Sequence, residues 1–304
     1  MTLREAFEEY LSVRRALGFI LVEPYLLRRF VAYAEQEGAS FITTELALRW
    51  AMQPDCRPEQ WSNRLSMVRR LARYVSAFDA RTEVPPRDLL PYRFRRKQPY
   101  LYADEEIARL IRAAKELPSP LGMRAATHST LLGLLAVTGM RVSEPVNLDR
   151  DDVDLGRGML TIRRAKFGKS RIIPLHNTTL EALRRYVDLR DRLFPGARSF
   201  FVNERGGRLT VWSVEKTFVK LSRGTGLRKP GQSRGPRLHD LRHHFAVQTM
   251  LRWYREGVDV ERRLPELSTY LGHVHVEDTY WYISAAPELL KLATLRLEKR
   301  EEAR

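Results

Sequence analysis

The stretch RLHDLRHHFA, residues 237–246, holds three histidines and two arginines within ten positions. His239 and His243 stand four residues apart, while His239 and Arg242 stand three apart. On a helix, both spacings bring side chains onto one face. This face is open to three interpretations: a metal site, a structural cluster, or a surface that grips phosphate.

The metal interpretation rests on the spacing of His239 and His243, which suits two zinc ligands on one helix, with His273 as a third candidate. The stretch lacks the glutamate of an HExxH motif, and its only acid is Asp240. Arg242 would also place a fixed positive charge beside a divalent cation. These residue types therefore disfavour a metal at this position.

The overall charge of the chain indicates a polyanionic partner. Its 304 residues carry 53 lysines and arginines against 37 aspartates and glutamates, a net charge of +16. Because like charges repel, this excess does not help folding and is better explained as a long-range field for a polyanion. Nucleic acid is the first candidate for that partner, ahead of an anionic membrane.

Three features disfavour a membrane-bound or secreted protein. The longest apolar stretch, Leu131–Met140, is too short to cross a bilayer. The first twenty residues mix Glu5, Glu8 and Glu9 with arginines, so they do not look like a signal peptide. The chain has one cysteine, so no internal disulfide can form. We therefore expect a cytoplasmic protein without membrane attachment.

Hydrophobic periodicity predicts two domains joined by a linker. Residues 1–81 read as a helical domain. Residues 82–99 hold four prolines and a basic run, which is typical of an extended linker. Residues 100–304 mix helical and strand signals, and end in a charged amphipathic tail helix at residues 286–304.

Local signals place individual elements within these domains. Thr2 and Glu5 form a plausible capping box at the start of the first helix, and Pro24 can open the second. Strand signals over residues 153–175, interrupted by two glycine-containing turns, predict a small hairpin sheet. The expected fold is mainly α, with a small antiparallel β-sheet in a mixed α+β second domain.

Basic residues at three places are candidate contacts to nucleic acid. One group faces away from the apolar side of the fourth helix, another lies in the linker, and a third flanks the hairpin and the opening stretch. The candidates are Arg64, Arg69, Arg73, Arg93, Arg95, Arg96, Lys97, Lys169, Arg171, Arg234 and Arg237. We expect them to lie against the DNA backbone, where lysine and arginine neutralise phosphate charge. For the arginines of the fourth helix, an ordinary solvated face is the alternative.

The phosphate interpretation of the opening stretch needs a second arginine, and TGMRVSE, residues 138–144, supplies one. Arg141 follows a glycine turn at the end of an apolar helix, with Glu144 three residues on to hold its guanidinium. Arg141 and Arg242 together can donate hydrogen bonds to the two non-bridging oxygens of one phosphodiester. Lys166 precedes a tight turn, which can direct its ammonium toward the same phosphate.

These segments resemble, in order along the chain, the boxes of the tyrosine recombinases, also called the phage integrase family. The resembling segments are TGMRVSE, AKFGKSRIIPL, HDLRHH, LGH and a tyrosine nine residues after His273. Together they cover residues 101–282, while the N-terminal helices resemble the family's core-binding domain only in kind. The resemblance implies a helical core-binding domain followed by the family's mixed α+β catalytic domain.

The resemblance also implies a catalytic set and no cofactor. The set is Arg141, Lys166, His239, Arg242, His273 and Tyr282. Tyr282 would attack a phosphodiester, giving a 3′-phosphotyrosine and a free 5′-hydroxyl, and this covalent bond lets the strand be rejoined without ATP. At pH 7 only about one phenol in a thousand is ionised, a handicap of ~4 kcal/mol, so a base is needed.

The resemblance gives the base role to His239. Arg141, Arg242 and His273 would offset the charge that gathers on the phosphate oxygens in the transition state. Lys166 would protonate the departing 5′-oxygen. Since these cations take over the electrostatic work that metal ions do in other phosphoryl-transfer enzymes, no metal is implied.

Two assignments have rivals nearby in the sequence. Lys169 lies three residues after Lys166 on the same predicted turn. Tyr280 lies two residues before Tyr282, although the spacing from His273 favours Tyr282.

Other neighbours of these boxes are expected to support the site or to alter its geometry. His243 and His244 are expected to pack behind the site rather than to touch the phosphate. Pro145 stands after Glu144, where the family usually carries a leucine-like residue, and it is expected to kink or start the helix behind Arg141.

The resemblance therefore predicts an enzyme that exchanges DNA strands: an integrase, a resolvase or a tyrosine-type transposase. Its partner would be double-stranded DNA, bound as a homo-tetramer or as a hetero-oligomer with related recombinases, with the tail helix docked on a neighbouring protomer. A type IB topoisomerase, which shares this chemistry, and a catalytically silent DNA-binding protein are the alternatives. The tail beyond Tyr282 favours a recombinase over a topoisomerase. The complete set of polar site residues disfavours a protein that only binds DNA.

Overall fold

The computed structural model describes residues 1–19, 24–53, 58–90, 98–163, 170–232 and 235–302. The chain forms two compact units, Met1–Lys97 and Gln98–Arg304. Each unit buries apolar side chains in a core of its own.

The described part of the first unit contains the helices α1 (Leu3–Ala16), α2 (Pro24–Gln36), α3 (Thr44–Met52) and α4 (Pro58–Val75). The predicted capping box opens α1: the Thr2 hydroxyl accepts from the N–H of Glu5 at 3.2 Å, and the Glu5 carboxylate accepts from the N–H of Thr2 at 2.7 Å. The apolar faces of the helices meet around Phe7, Phe30 and Leu65, which are fully buried. The predicted helical character of this region is confirmed.

The first part of the predicted linker is packed against the first unit. The backbone N–H of Glu83 donates to the carbonyl of Ile42 at 2.8 Å. The Arg69 guanidinium donates to the carbonyls of Pro85 and Pro86, both at 2.7 Å. Residues 82–90 are therefore held by hydrogen bonds from α4 and from the segment before α3. Residues 91–97, with Arg93, Arg95, Arg96 and Lys97, lie outside the described residues.

The second unit has a helical framework around one small sheet. Its helices are α5 (Asp104–Lys115), α6 (Met123–Thr138), α7 (Ser143–Asn147), α8 (Asn177–Leu193), α9 (Val211–Gly224), α10 (Leu238–Arg255), α11 (Val260–Leu271), α12 (Glu277–Ala285) and α13 (Pro287–Glu302). This arrangement confirms the predicted fold class, mainly α with a small antiparallel sheet. The short helix α12 carries Tyr282 and was not predicted.

The sheet of the second unit is antiparallel, with the strand order β1 (Val153–Asp154), β2 (Met159–Ile162), β3 (Arg171–Pro174). Leu160 pairs with Ile173, and Ile162 with Arg171. The alternation of the pleat buries Leu160, Ile162 and Ile173 on one face. The turn between β2 and β3, residues 164–169 with Lys166 and Lys169, lies outside the described residues.

Helix α6 runs through the centre of the second unit and positions the site at its C-terminal end. It contacts α5, α8 and α10, which explains its apolar sequence. It ends at Gly139 in the left-handed conformation, φ 61°. A side chain there would meet the Phe245 ring at 2.6 Å, so only glycine allows α10 to approach this turn so closely.

Helix α13 packs against its own unit. Leu289 is fully buried in a core shared with α10 and α11, and Arg255 pairs with Glu288 at 2.8 Å. Leu290 and Leu295 remain 53% and 43% exposed. Leu289 is therefore covered by the protein's own core, whereas Leu290 and Leu295, among the tail leucines whose side chains are described, are exposed and available to a partner.

Within the described ranges, no helix combines the length and apolarity needed to cross a membrane.

Candidate active site

Arg242 forms the buried centre of the site. It lies on α10 and is 1% exposed. Its guanidinium donates to the carbonyl of Gly139 at 2.9 Å and to that of Leu271 at 2.7 Å, at the C-terminal ends of α6 and α11. Burial and the nearby charge of Arg141 lower its pKa to about 10, so it remains a cation at neutral pH. Two helix ends thus fix one permanent positive charge.

Arg141 stands beside Arg242 on the turn between α6 and α7. Its guanidinium donates to Glu144 at 3.2 Å, the contact that the sequence predicted, and to the carbonyl of Gly272 at 3.0 Å. Its backbone N–H also donates to Glu144 at 2.9 Å. Pro145 lies inside the first turn of α7, where a missing N–H costs little, so the proline is compatible with the arginine turn.

Arg171 is placed differently from the sequence prediction. We expected a contact to DNA, but its guanidinium is largely buried and makes two hydrogen bonds to Glu144, at 2.8 and 2.7 Å. Its Nε donates to the carbonyl of Tyr270 at 2.7 Å. Burial alone would raise the pKa of Glu144, but the hydrogen bonds and charges of Arg171 and Arg141 lower it below its usual value. The pairing with Glu144 takes the place of the expected DNA contact.

His239 lies one helical turn before Arg242 and reaches the surface. Its ring centroid is 4.6 Å from that of His243, edge to face. Crowding by the surrounding protein, followed by the charges of Arg242 and Arg237, lowers the pKa of His239 to about 4. Burial lowers the pKa of His243 to about 3. Both imidazoles are therefore neutral at pH 7, and a neutral imidazole can accept a proton.

His273 is fixed by a residue that sequence reasoning missed. Its Nδ1 lies 2.8 Å from the hydroxyl of Thr279, which is fully buried on α12. Its ring stacks on Tyr282, with centroids 6.2 Å apart and an interplanar angle of 24°. Thr279 precedes Tyr282 by three residues, so one face of α12 presents both side chains. That spacing is the signal that sequence reasoning could have used.

Tyr282 lies inside this cluster, and Tyr280 lies outside it. Tyr282 is 2% exposed, whereas Tyr280 is 47% exposed. Burial raises the pKa of the Tyr282 phenol, while the charge and hydrogen bond of Arg242 oppose that rise. The Tyr282 ring also packs 5.4 Å from that of His243. The structure thus brings together Arg141, His239, Arg242, His273 and Tyr282, with His243 packed behind them and Glu144 beneath Arg141.

Several of the basic residues proposed for DNA have partners within the protein. Arg64 stacks on the Trp50 ring at 3.7 Å and donates to the Trp50 carbonyl at 2.8 Å. Arg237 pairs with Asp240 at 2.7 Å. Arg73 is exposed on α4. Lys169 and Arg234 lie outside the described residues, as does the candidate acid Lys166. The contacts of Arg64 with Trp50, and those of Arg69 with the carbonyls of Pro85 and Pro86, give these two arginines structural roles.

A basic face on α9 was missed by the sequence analysis. Trp212 is 68% exposed, and the Lys216 ammonium lies 4.8 Å from its ring. A cavity of about 380 Å³ beside them is also lined by Lys220, Arg124 and the buried His128. Trp212, Lys216 and Lys220 recur every fourth residue, the spacing of one helix face, so this surface was readable from the sequence.

Among the described residues, no group of three or more histidine, cysteine, aspartate or glutamate side chains is placed to hold a metal ion.

The low pKa values of the two site histidines give a test in solution. In the DNA-free protein, we expect the imidazoles of His239 and His243 to remain neutral from about pH 8 down to about pH 5, because their pKa values are about 4 and about 3. Nitrogen-15 NMR of the imidazole rings measures this directly. A titration midpoint near 6.5, the ordinary value for histidine, would contradict the desolvation and the nearby charges that lower these two pKa values.

The same shifts predict how stability depends on pH. When folded His243 has a depressed pKa, the unfolded chain binds more protons between about pH 6.5 and about pH 3. The free energy of unfolding should therefore fall as the pH is lowered through this window and be level above it. The variant His243→Gln should show a shallower fall in urea titrations, and an unchanged slope would mean that His243 does not cause it.

Comparison with known proteins places the chain among DNA recombinases. Residues 100–288 match the phage integrase family. The chain is 48% identical, over 311 aligned positions, to a protein of Sinorhizobium fredii (strain NBRC 101917 / NGR234) whose name places it among integrases/recombinases, with 100% of this chain and 99% of the relative covered.

Two solved structures show the same fold. One is the XerH site-specific recombinase bound to a palindromic difH substrate in a post-cleavage complex, with a TM-score of 0.65, 18% identity and coverage of 91% of this chain and 78% of that chain. The other is a lambda integrase tetramer bound to a Holliday junction, with a TM-score of 0.58, 18% identity and coverage of 90% and 78%.

Proposed function

The chain belongs to the phage integrase family, and from that membership we infer that it is a site-specific DNA recombinase, an enzyme that cuts DNA strands and rejoins them to new partners. One observation carries the assignment of its chemistry. The buried phenol of Tyr282 lies against the guanidinium of Arg242, between the rings of His243 and His273. A tyrosine held against a fixed cation suits attack on a phosphodiester.

The nucleophile is Tyr282 and the base is His239. The phenol oxygen attacks phosphorus, its proton passes to an imidazole, and the bond to the 5′-oxygen breaks. Because burial raises the pKa of Tyr282, the phenol needs this help more than a free tyrosine does. His239 is neutral at pH 7 in the DNA-free protein, as a proton acceptor must be, but its pKa of about 4 makes it a weaker base than an ordinary histidine. The role is therefore assigned from its position in the His-x-x-Arg box, one helical turn before Arg242.

Arg141 and Arg242 stabilise the charge that develops on the non-bridging oxygens. Both guanidiniums are held by backbone carbonyls at the ends of α6 and α11, so they need no reorganisation during the reaction. His273 donates a third hydrogen bond from Nε2, in the tautomer in which its Nδ1 accepts from the Thr279 hydroxyl. Lys166 protonates the departing 5′-oxygen.

The family relationship favours recombination over the two alternatives. A type IB topoisomerase would use the same active-site chemistry, but the Sinorhizobium fredii relative, which is 48% identical, has a name that places it among integrases/recombinases. A silent DNA-binding protein would have no use for a buried tyrosine beside two arginines. We assign the enzyme to strand exchange between duplexes, assembled on DNA as a tetramer, either of identical chains or with related recombinases.

Residues in each unit are assigned to DNA binding. The first unit is assigned as the core-binding domain, with exposed Arg73 among its contacts. In the second unit we add the basic face of α9, formed by Trp212, Lys216 and Lys220, because an exposed indole beside ammonium groups suits nucleic acid. Since DNA is its substrate, the protein acts in the cytoplasm.

A nicked suicide duplex tests the proposed function. Cleavage near the nick releases a short 5′-hydroxyl fragment that diffuses away, so the covalent intermediate accumulates. We expect a protein–DNA adduct that survives denaturant, and transfer of the held strand to a second duplex with a 5′-hydroxyl end, both without ATP. An intact duplex of the same sequence is the control. Failure to form any adduct on a cognate site would refute the function.

The same assay tests whether the chemistry depends on a metal. We expect the rate of adduct formation to be unchanged by excess EDTA at fixed ionic strength, because the proposed charge stabilisation comes from arginines and histidine. If EDTA abolished cleavage and added magnesium or zinc restored it, His239 and His243 would have to be considered as metal ligands.

A further inference from the structure

Glu144 is placed between two arginines that come from different parts of the chain. Its side chain is 3% exposed, and Arg171 lies 2.7 Å from one of its oxygens, while Arg141 lies 3.2 Å from the other. The two contacts differ: the guanidinium of Arg171 is bidentate, whereas that of Arg141 makes one contact and the Arg141 backbone makes another. The strongest hold on the carboxylate is therefore exerted by Arg171.

Arg171 is anchored to the same segment that holds the catalytic arginines. It donates to the carbonyl of Tyr270, one residue before the Leu271 carbonyl that binds Arg242 and two before the Gly272 carbonyl that binds Arg141. Gly272 has a positive φ of 69°, and a side chain there would meet the Arg171 guanidinium at 3.1 Å. The glycine turn thus accommodates Arg171 on one side and Arg141 on the other.

We propose that Arg171, at the start of β3, is a positioning residue that satisfies the charge of Glu144 so that Arg141 remains directed to the scissile phosphate. This proposal rests on the proposed function of the site. The charges explain the effect. Arg171, Glu144 and Arg141 together carry one net positive charge, and Arg171 takes two of the hydrogen bonds that Glu144 can accept.

Without Arg171, the negative charge of Glu144 would be balanced by Arg141 alone. The Arg141 guanidinium would be drawn into a bidentate pair, the geometry that arginine and carboxylate prefer, and the cluster would carry no net charge. Arg141 would then stabilise the phosphate transition state less. Because Arg171 itself is buried and occupied, its loss should affect the rate of cleavage and leave the affinity for DNA nearly unchanged.

The test compares Arg171→Gln with the double variant Glu144→Gln/Arg171→Gln. Adduct formation on the suicide duplex is measured under single-turnover conditions at saturating protein, and DNA affinity is measured separately. We expect Arg171→Gln to slow cleavage about 10- to 100-fold, less than loss of a direct transition-state donor typically costs. The double variant should recover most of that loss, because it removes the unpaired carboxylate that captures Arg141. Arg171→Lys, which keeps the charge, should also cleave faster than Arg171→Gln.

Arg190→Gln is the matched control. Arg190 is more buried than Arg171, with 2% against 11% of its side chain exposed. It pairs with Asp191 at 2.7 Å and donates to the Phe200 carbonyl, and neither of these partners belongs to the site. Circular dichroism selects a temperature at which all variants are folded. A double variant that cleaves no faster than Arg171→Gln, or an Arg171→Gln variant that cleaves like Arg190→Gln, would overturn the proposal. Absence of cleavage by the wild-type protein would instead refute the proposed function.

Discussion

Replacing Tyr282 with phenylalanine is expected to abolish the covalent protein–DNA complex while leaving DNA binding intact. The change removes the only atom that could attack phosphorus from this position, and it leaves the basic surface and the ring packing in place. The lost hydrogen bond to the charged Arg242 should cost about 1.5–3 kcal/mol of stability, so circular dichroism is used to choose a temperature at which the variant is folded. Denaturing gels of suicide-substrate reactions measure the adduct, and mobility shifts measure binding.

Tyr280→Phe is the matched control for this variant. Tyr280 lies on the same helix and is exposed, so its hydroxyl can be removed without disturbing the buried cluster. We expect Tyr280→Phe to cleave at the wild-type rate. If Tyr282→Phe still forms a denaturant-resistant adduct and Tyr280→Phe does not, then the nucleophile is Tyr280, and the buried position of Tyr282 has another purpose.

The second large effect is expected at Lys166. An alkoxide leaves poorly without a proton, and general-acid catalysis typically contributes ~10²–10⁴-fold, or about 3–5 kcal/mol. Lys166→Ala should therefore cleave ordinary DNA poorly. When sulfur replaces the bridging 5′-oxygen, the departing thiolate needs no proton, so Lys166→Ala should cleave that substrate nearly as fast as the wild type does.

Lys169→Ala is the control that separates the two lysines of the turn. If a lysine only binds phosphate, its replacement by alanine should reduce the cleavage rate equally on both substrates, because the phosphate charge is the same. We expect Lys169→Ala to show a smaller loss, similar on both, with a weaker salt dependence of binding. Rescue of Lys169→Ala but not of Lys166→Ala by sulfur would reverse the assignment. Rescue of neither would move the acid role elsewhere, with His239 the first residue to test.

The sequence predicted those parts of the molecule that depend on local patterns. The capping box at Thr2 and Glu5 is a contact over three residues, and the structure contains it. His239 and Arg242 share a helix face because three positions separate them, and the carboxylate of Glu144 reaches Arg141 over the same short distance. In each case the interaction partner lies within one helical turn, so spacing alone was sufficient.

What the sequence did not predict depends on distant partners. The basic character of Arg64, Arg69 and Arg171 suggested DNA, yet their contacts are carbonyls and a carboxylate that lie 14 to 99 positions away. No periodicity encodes such pairs. Helix α12 was missed for a different reason: its nine residues include aromatic and β-branched side chains that do not favour a helix, so packing around Tyr282 rather than propensity determines its conformation.

The proposed mechanism is tested by identifying the amino acid to which the DNA becomes covalently attached. The adduct formed on a suicide duplex is digested with nuclease and trypsin, and the nucleotide-bearing peptide is sequenced by mass spectrometry. Cleavage after Arg263 and Lys291 yields one peptide, residues 264–291, that contains Tyr270, Tyr280 and Tyr282, so fragmentation must distinguish them. We expect a 3′-phosphate linkage on Tyr282. A nucleotide on Tyr280 or Tyr270, or one attached through a 5′-phosphate, would contradict it.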